Sequence, residues 1–295
     1  MSKFHFVVNP VAGNGKANEV FAEMRKRLEA DGISYSFSVS QHAGHPEELT
    51  RQALGEGHAC IIAVGGDGTV REVAGQMIGS SIPFSILPCG TGNDLVRALH
   101  IPFGADEMLH MLLHTPPRPM DAGLANGKLF FNIAGFGFDV DTLIYMERYR
   151  KHFSGSTAYM LGLLNALVKL MLRRVHIHVD DDEQAKVRDA LIVVAANGTH
   201  FGGGMNVAPH ADPTDGLFDI CVVGEVKWYN ILFVLLKFLK GKHLGLPMVE
   251  YFHAKKLTVE SDPPSPLQLD GEIMMQTPVT FEIIPGALQV IMGDA

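Results

Sequence analysis

The sequence has little cysteine, and the cysteines that it has form no paired motif. Its 295 residues include Cys60, Cys89 and Cys221, and no CxxC spacing joins any two of them. An odd number of widely separated cysteines argues against a disulfide framework. The composition therefore favours a protein that folds around a hydrophobic core in a reducing compartment.

Positive charge is also scarce. The chain carries 24 Lys and Arg against 32 Asp and Glu, a formal net charge of −8. Because contacts with a phosphate backbone need local basicity, this balance predicts no nucleic-acid partner. Hydrophobic residues make up 47% of the chain, which argues against disorder, and the length suits one large or two ordinary domains.

No apolar run is long enough to span a membrane. The most apolar windows are residues 158–172 and 231–239, and the first contains Lys169. A helix over residues 158–172 would be about 22 Å long, against a hydrocarbon core of about 30 Å. Residues 1–20 also lack the apolar stretch and cleavage site of a signal peptide. A cytoplasmic location follows as the prediction.

The N-terminal part of the chain alternates between strand and helix patterns. Short apolar runs predict strands at 4–9, 36–40, 59–64 and 83–88, and amphipathic patterns predict helices at 19–30, 46–54 and 69–78. Apolar strands that end in turn residues are typical of parallel strands buried on both faces. We therefore predict an α/β fold whose N-terminal domain contains a parallel sheet.

The pattern changes after Pro116-Pro117. Strands are predicted at 129–135, 175–179, 190–196 and 218–223, with fewer helices between them. This change predicts a second, mainly antiparallel domain that resembles a β-sandwich. The predicted division assigns residues 1–122, joined by 286–295, to the first domain and residues 123–285 to the second.

Glycine-rich segments follow three of the predicted parallel strands: NPVAG at 9–13, GGDGT at 65–69 and GTGND at 90–94. Ligands of parallel sheets bind beyond the carboxyl ends of the strands, and glycine lets backbone N–H groups approach an anion. The three segments therefore predict a phosphate site, although each alone could be an ordinary strand-to-helix loop. Neither a Walker A loop nor a GxGxxG fingerprint is present.

These segments resemble the signature of the diacylglycerol kinase catalytic-domain family, including its soluble bacterial lipid kinases. GGDGT alone also occurs in NAD kinases and phosphofructokinases, whereas PxGTxND followed by a later DGE is more selective. The matching residues are Asn9-Pro10 with Gly13, Gly65–Thr69, Leu87–Asp94, Asn197-Gly198, Gly202–Met205, Ala208-Pro209, Asp215–Leu217 and Leu269–Glu272. The resemblance thus covers nearly the whole chain.

The resemblance implies an Mg²⁺-dependent kinase that transfers phosphate from ATP to the hydroxyl of diacylglycerol or a related lipid. The site is expected in the cleft between an α/β domain and a β-rich domain. Asp67 would serve both the catalytic metal and the phosphates. The nucleotide-binding residues that the resemblance implies are Asn9, Gly13, Ser40, Gly65, Gly66, Asp67, Gly68, Thr69, Thr91 and Asn93.

Asp270 and Glu272 are the candidate catalytic carboxylates of the second domain. They lie two residues apart, so an extended backbone would point both side chains to one face of the sheet. Either could take the proton of the acceptor hydroxyl. The family analogy favours Glu272 as the base and places Asp270 near the metal, while the alternative is an acidic turn around Gly271.

A second metal site is implied at residues 212–217. Asp212, Asp215 and the carbonyl of Leu217 would offer oxygen ligands of the kind that a hard cation accepts. The resemblance implies a structural Mg²⁺ there. The alternative is a plain surface turn.

Lysines and arginines flank the two most apolar windows. They are Arg148, Arg150, Lys151, Lys169, Arg173 and Arg174 around the first window, and Lys237, Lys240 and Lys242 around the second. The windows could lie on an anionic membrane surface, which predicts transient, peripheral binding, or pack on the core with the cations at the rim. A homodimer is compatible with the sequence.

Two other functions compete with a lipid kinase. GGDGT also suits a NAD kinase or another soluble-metabolite kinase, although those enzymes lack the PxGTxND and DGE pattern. A nucleotide-binding regulatory protein without catalysis would keep the loops, but the presence of Asp67, Asp270 and Glu272 argues against it.

Overall fold

The computed structural model describes residues 4–294 except 154, 181 and 183. The strands are β1 (Phe4–Val8), β2 (Tyr35–Val39), β3 (Cys60–Gly65), β4 (Phe84–Pro88), β5 (Arg118–Ala125), β6 (Lys128–Phe130), β7 (Ile133–Gly137), β8 (Arg173–Val179), β9 (Lys186–Ala190), β10 (Ile192–Ala196), β11 (His200–Phe201), β12 (Met205–Asn206), β13 (Phe218–Val223), β14 (Val249–Ala254), β15 (Lys256–Asp262), β16 (Pro266–Leu269), β17 (Glu272–Gln276) and β18 (Val279–Val290). The helices are α1 (Lys16–Ala30), α2 (His45–Leu54), α3 (Asp67–Met77), α4 (Asp94–Ala98), α5 (Ala105–His114), α6 (Phe138–Tyr149), α7 (Gly155–Val168) and α8 (Ile231–Leu239).

The chain forms two compact units. The first unit contains Met1–Ala122, Pro213–Asp215 and Pro285–Ala295. The second unit contains Gly123–Asp212 and Gly216–Ile284. The chain therefore passes between the units several times.

The first unit is built on a parallel sheet in the order β2, β1, β3, β4. Val8 lies opposite Val39 and Val64, and Val290 near the end of β18 pairs in parallel with Phe84 of β4. β1, β3 and β4 are buried along their whole lengths, because helices cover both faces of such a sheet. The predicted alternation of strands and helices in this region is confirmed.

The described residues of the second unit form two large antiparallel sheets, besides the short pair of β11 and β12. One has the order β14, β13, β10, β7, β16, β17, and the other pairs β15 with β8 and with the start of β18, and β8 with β9. Side chains of both sheets share one core, which includes Phe136, Val193, Ile177, Val259 and Phe281. The predicted fold class, a parallel α/β domain followed by a β-sandwich-like domain, is confirmed.

Helices α7 and α8 cover the other face of the six-stranded sheet. Alternate residues of β10 point to opposite faces, so Val193 joins the core between the sheets while Val194 packs with Leu163 of α7 and Val234 of α8. α7 ends at Val168, before the end of the apolar window, and β8 begins at Arg173. Within the described part of the chain, every helix is too short or too polar to cross a bilayer.

Candidate functional site

Asn9 connects the loop after β1 to the start of α3. Its Nδ2 donates a hydrogen bond to Thr69 Oγ1 at 2.9 Å, and its backbone N–H donates to the Val64 carbonyl at 3.0 Å. Its Oδ1 accepts the backbone N–H of Val11 at 3.3 Å. A single asparagine thus fixes the first loop against both β3 and the helix that follows it.

Gly13 brings the first loop against the third. Its φ is +59°, and a Cβ added there would lie 2.0 Å from the Cys89 carbonyl oxygen. Gly66 and Gly90 also approach closely, since a Cβ on Gly90 would lie 2.6 Å from the Gly66 Cα. Glycine at these positions permits three loops to meet at the carboxyl end of the sheet.

Asp67, the first residue of α3, holds the third loop with its carboxylate. Oδ2 accepts the backbone N–H of Asn93 and Oδ1 that of Asp94, both at 3.1 Å. Burial raises the pKa of the Asp67 carboxyl, and the backbone N–H groups of Asp94 and Asn93 oppose that shift. Each carboxylate oxygen has a second lone pair, so Asp67 keeps the capacity to bind a cation.

Asn93 closes the third loop on itself. Its Oδ1 accepts the Gly90 N–H at 2.9 Å and its Nδ2 donates to the Gly90 carbonyl at 2.8 Å. Asn93 directly precedes α4 and has a left-handed conformation with φ of +51°. α4 is only five residues long and adds little dipole to the loop.

The remaining predicted nucleotide ligands lie at the same edge of the first unit. Thr69 is buried beneath Asn9, while Gly68 and Thr91 are exposed. Ser40 follows β2, is buried, and donates its N–H to the Val8 carbonyl at 2.8 Å. Gly65 ends β3, where a Cβ would lie 2.5 Å from the Thr69 side chain.

Cys89 lies within the third loop but is packed rather than reactive. It is 1% exposed, and its Sγ contacts the Leu87 carbonyl at 3.4 Å. Burial raises the pKa of its thiol to about 12. The neutral thiol therefore acts as a small side chain that fits the turn.

Asp270 does not lie on an extended strand, so that expectation is wrong. Asp270 and Gly271 form the turn between β16 and β17, with φ of +48° and +86°. The Asp270 carboxylate accepts the N–H groups of Phe131 at 2.9 Å, Asn132 at 2.9 Å and Ile133 at 3.1 Å. The alternative prediction, an acidic turn, matches the structure, and the aspartate of this turn holds the backbone of residues 131–133.

Glu272 differs from Asp270 in its surroundings. It is the first residue of β17, directly after the turn, and it is exposed. Gln268 on the other side of the turn accepts the Gly271 N–H through Oε1 at 2.8 Å. The turn therefore holds the two acids in unlike environments, one engaged with backbone and one facing solvent.

The sequence reasoning missed a polar network around the same turn. Asn197 Nδ2 donates to the Phe131 carbonyl at 2.8 Å, and the backbone N–H of Asn197 donates to the Asn132 carbonyl at 2.8 Å. Asn132 Nδ2 donates to the His200 carbonyl at 2.8 Å. These bonds fix the glycine-rich segment after β10, and the asparagine of the NG pair at 197–198 was the signal for it.

Asp139, which the sequence reasoning also missed, is a buried acid in the first turn of α6. It is 4% exposed, and its Oδ2 accepts a hydrogen bond from Gln268 Nε2 at 3.3 Å. Burial raises the pKa of this carboxyl to about 6, although hydrogen bonds from Val140 and Gln268 oppose the shift. A single buried acid carries no sequence motif of its own.

The predicted structural metal ligands lie between β12 and β13. Asp212 and Asp215 are exposed and Leu217 is partly buried, and Gly216 has φ of +75°. These two carboxylates and a carbonyl are hard oxygen donors, which fit Mg²⁺ or Ca²⁺ in type.

The two apolar windows both pack on the core and expose apolar side chains. Leu163, Ala166 and Phe238 are buried in the core cluster beside the six-stranded sheet. The exposed apolar side chains are Met160, Leu164 and Val168 on α7, and Leu232, Phe233, Leu236 and Leu239 on α8.

Not every predicted cation faces solvent. Arg173 is 6% exposed and donates to both Asp141 oxygens, at 2.7 and 3.0 Å. The prediction that Arg173 belongs to a basic rim is therefore wrong, because its guanidinium group is buried and paired with Asp141. Lys240 and Lys242, beyond α8, are exposed.

Two family descriptions match the chain. The YegS C-terminal NAD kinase beta sandwich-like domain matches residues 132–292, and the diacylglycerol kinase catalytic domain matches residues 3–125. The first match alone covers more than half of the chain. The chain belongs to the family of YegS-like lipid kinases. The resemblance to the diacylglycerol kinase family is thereby confirmed.

Sequences of relatives in this lipid kinase family align with nearly the full length of the chain. A protein of Pseudomonas syringae pv. syringae named "Probable lipid kinase YegS-like" is 30% identical over 282 residues, covering 94% of this chain and 88% of the relative. A "Diacylglycerol kinase" of Bacillus subtilis is 26% identical over 297 residues, covering 99% and 97%. Among the competing functions, these matches support a kinase of lipids.

A solved structure has the same fold. The crystal structure of a diacylglycerol kinase from Bacillus anthracis superposes with a TM-score of 0.75 at 22% identity, covering 99% of this chain and 97% of that one. At this identity the similarity concerns the architecture of the YegS-like family and not the substrate.

Proposed function

We propose that this member of the lipid kinase family transfers the γ-phosphoryl group of ATP to the hydroxyl of diacylglycerol or a related lipid. The observation that carries the proposal is the hydrogen bonding of Asp67. One carboxylate at the end of β3 holds the backbone of the third glycine-rich loop, while Asn9 holds the first loop to Thr69. Such preorganised loops suit phosphoryl transfer, which depends on positioning and charge neutralisation.

The loops of the first unit bind the nucleotide in this proposal. Backbone N–H groups of the glycine-rich segments would hold the phosphates, and the hydroxyl of Thr91 and the side chain of Asn9 would help to orient them. The full proposed set is Asn9, Gly13, Ser40, Gly65, Gly66, Asp67, Gly68, Thr69, Thr91 and Asn93. Mg²⁺ held through Asp67 would neutralise charge on the phosphoryl oxygens.

Glu272 is the proposed general base for the acceptor hydroxyl. It is exposed at the start of β17, whereas the Asp270 carboxylate is engaged by three backbone N–H groups. Asp270 therefore positions the turn that presents Glu272. Asp212, Asp215 and the Leu217 carbonyl remain the proposed structural Mg²⁺ ligands.

The second unit also contains a small apolar cavity. It lies beneath α7 and α8, and its lining includes Leu167, Ile192, Phe201, Met205 and Phe238. Fourteen residues line it and none is charged. This lining is apolar, but the cavity volume of about 50 Å³ is well below that of a ligand pocket, so the cavity does not distinguish a lipid from a soluble acceptor.

The direct test is a lipid kinase assay on the purified chain. The protein would be incubated with Mg²⁺, ATP labelled at the γ-phosphate, and mixed micelles that contain diacylglycerol. We expect label in the organic phase as phosphatidic acid, and none when the micelles lack a lipid alcohol. Transfer of label only to NAD or another soluble acceptor would contradict the proposal.

We also propose that the exposed apolar faces of α7 and α8 contact an anionic membrane surface. Lys237 lies 5.4 Å from the Phe233 ring centroid, so cation and aromatic side chain share one patch. Phe233→Ser should weaken sedimentation with anionic vesicles several-fold, while Phe103→Ser in the first unit should not. Phe103 is a close control because it is 55% exposed against 53% for Phe233. Equal binding of both variants would contradict this proposal.

A further inference from the structure

A second cluster of ligand-bearing side chains lies at the amino-terminal end of the parallel sheet. His5 lies on β1, and Glu56 and His58 lie in the connection between α2 and β3. One donor atom of each lies within 4.8 Å of the others, and the described residues contain no other such group of three. His5 precedes Asn9 by four residues, about 13 Å along an extended strand. The cluster is therefore separate from the proposed phosphate loops.

The two imidazoles are buried and the carboxylate is not. His5 is 6% exposed and His58 is 4% exposed, and their rings stack with centroids 4.6 Å apart and planes at 26°. His58 Nε2 lies 3.0 Å from Glu56 Oε2, and the Glu56 side chain is 58% exposed. The cluster thus has two buried nitrogen donors and one exposed oxygen donor on the solvent side, from which an ion could enter.

Both ring nitrogens of His5 have serine partners, and a metal ion would replace one of them. Its Nδ1 lies 2.9 Å from Ser36 Oγ and its Nε2 lies 3.0 Å from Ser38 Oγ, both on β2. A hydroxyl can accept or donate, so one ring nitrogen can bind a metal while the other donates N–H to its serine. Such outer hydrogen bonds orient ligating rings and fix their tautomers.

Hydrogen bonding does not account for the His58 ring. Its Nε2 contacts Glu56, but its buried Nδ1 has no partner within the described part of the chain. Buried polar atoms are usually satisfied, because an unpaired one costs about 1–3 kcal/mol when buried. The cluster therefore has more donor capacity than the fold uses.

We propose that His5, Glu56 and His58 bind one Zn²⁺ or a similar transition-metal ion, with water in the remaining position. Two imidazoles and a carboxylate are a known donor set for zinc, whereas Mg²⁺ prefers oxygen ligands. Metal–ligand distances near 2.1 Å place donors about 3.4 Å apart. The three donor atoms already lie within 4.8 Å of one another, and Glu56 Oε2 lies 3.0 Å from His58 Nε2. The ion would tie β1 to the connection between α2 and β3.

Calorimetric titration of Zn²⁺ into the metal-stripped, tag-free full chain tests this site. The exposed pair His110 and His114 on α5, with ring centroids 4.6 Å apart, could also bind zinc. All measurements should therefore use a His110→Gln/His114→Gln background. We expect one equivalent of Zn²⁺ to bind and to raise the melting temperature, and Co²⁺ to give the intense visible absorption of a tetrahedral site.

Glu56→Gln and His58→Gln should each weaken Zn²⁺ binding by about 10- to 100-fold or more, since each removes a ligand. Glu56→Gln replaces an exposed side chain, so its fold is expected to be intact, and unchanged melting in EDTA would confirm that. His42→Gln is the control, because His42 is exposed and stacks with His45 outside the cluster. No binding by the parent, or equal affinity in the parent and Glu56→Gln, would overturn the proposal.

Discussion

In each unit, one aspartate carboxylate accepts backbone N–H groups and so fixes a neighbouring segment. The sequence predicted an important role for the aspartate of the first unit, but it did not predict the backbone contacts of the aspartate in the second. In the first unit, Asp67 accepts two backbone N–H groups and holds a neighbouring loop. In the second unit, Asp270 accepts three and holds the segment before β7. A carboxylate that fixes backbone can prepare a site without taking part in its chemistry, and only experiments on both acids separate these roles.

Asp67→Asn should have the largest effect on activity. The amide keeps the size of the side chain but cannot neutralise a cation, so we expect phosphoryl transfer to fall by about 10³-fold or more. The initial rate of lipid phosphorylation measures this. Asp31→Asn, an exposed acid at the end of α1, is the control and should leave the rate unchanged. A rate near that of the parent in Asp67→Asn would mean that Asp67 only holds the loop.

Glu272→Gln and Asp270→Asn form a matched pair in the second unit. Glu272→Gln should lower kcat by about 10²- to 10⁴-fold with little change in melting temperature, as for loss of a general base at an exposed position. Asp270→Asn should instead lower stability by about 2 kcal/mol, because it loses a charged acceptor of several backbone bonds. Kinetics and thermal melting on both variants check this. If Glu272→Gln mainly lowered stability and Asp270→Asn mainly lowered kcat, Asp270 would be the base and Glu272 the residue that holds the turn.

Asp139→Asn should change how stability depends on pH. The pKa of Asp139 is raised to about 6 in the folded state, so folding favours the protonated carboxyl. The contribution of Asp139 to the free energy of unfolding is most favourable below the unfolded pKa of about 3.9. It decreases as the pH rises toward 6, by up to about 3 kcal/mol.

The asparagine variant has no such charge to bury. Its melting temperature relative to the parent should rise between pH 4 and pH 6 and then level off. Glu225→Gln, at an exposed position, should show no such trend. A difference in melting temperature between Asp139→Asn and the parent that does not change with pH would contradict the raised pKa of Asp139.

Gly13→Ala and Gly15→Ala separate two effects in the first unit, steric clash of an added Cβ and backbone strain at positive φ. Both glycines have positive φ, +59° and +90°, but a Cβ on Gly13 meets Cys89 whereas one on Gly15 meets nothing within 4 Å. Gly15→Ala should cost about 1–2 kcal/mol from strain alone. Gly13→Ala should cost more and raise KM for ATP, because it pushes the first loop off the third. Equal effects of the two variants would mean that close packing of the loops is unimportant.

The sequence predicted the first unit better than the second for physical reasons. Continuous apolar strands that end in glycine-rich loops are a local signal, so the parallel sheet and the loops near Asn9, Asp67 and Asn93 could be placed. Hydrogen bonds between residues far apart in the chain leave no such signal. The clamp of Asp270 on residues 131–133 was therefore missed, and its spacing from Glu272 suggested a strand where a turn occurs.

Burial was equally invisible in the sequence. Arg173 was placed among exposed cations because its neighbours are basic, but its partner Asp141 lies 32 residues earlier. Asp139 and the pair His5 and His58 acquire their properties from what packs around them. Such sites require a structure, since no motif marks them.

Amide hydrogen exchange with and without Mg²⁺ and ATP tests the central claim most directly. The claim is that the loops at residues 9–16, 65–70 and 89–94 form one phosphate site. We predict that nucleotide slows exchange in all three loops together and that Asp67→Asn removes this protection. Protection confined to one loop, or located outside all three, would contradict the account.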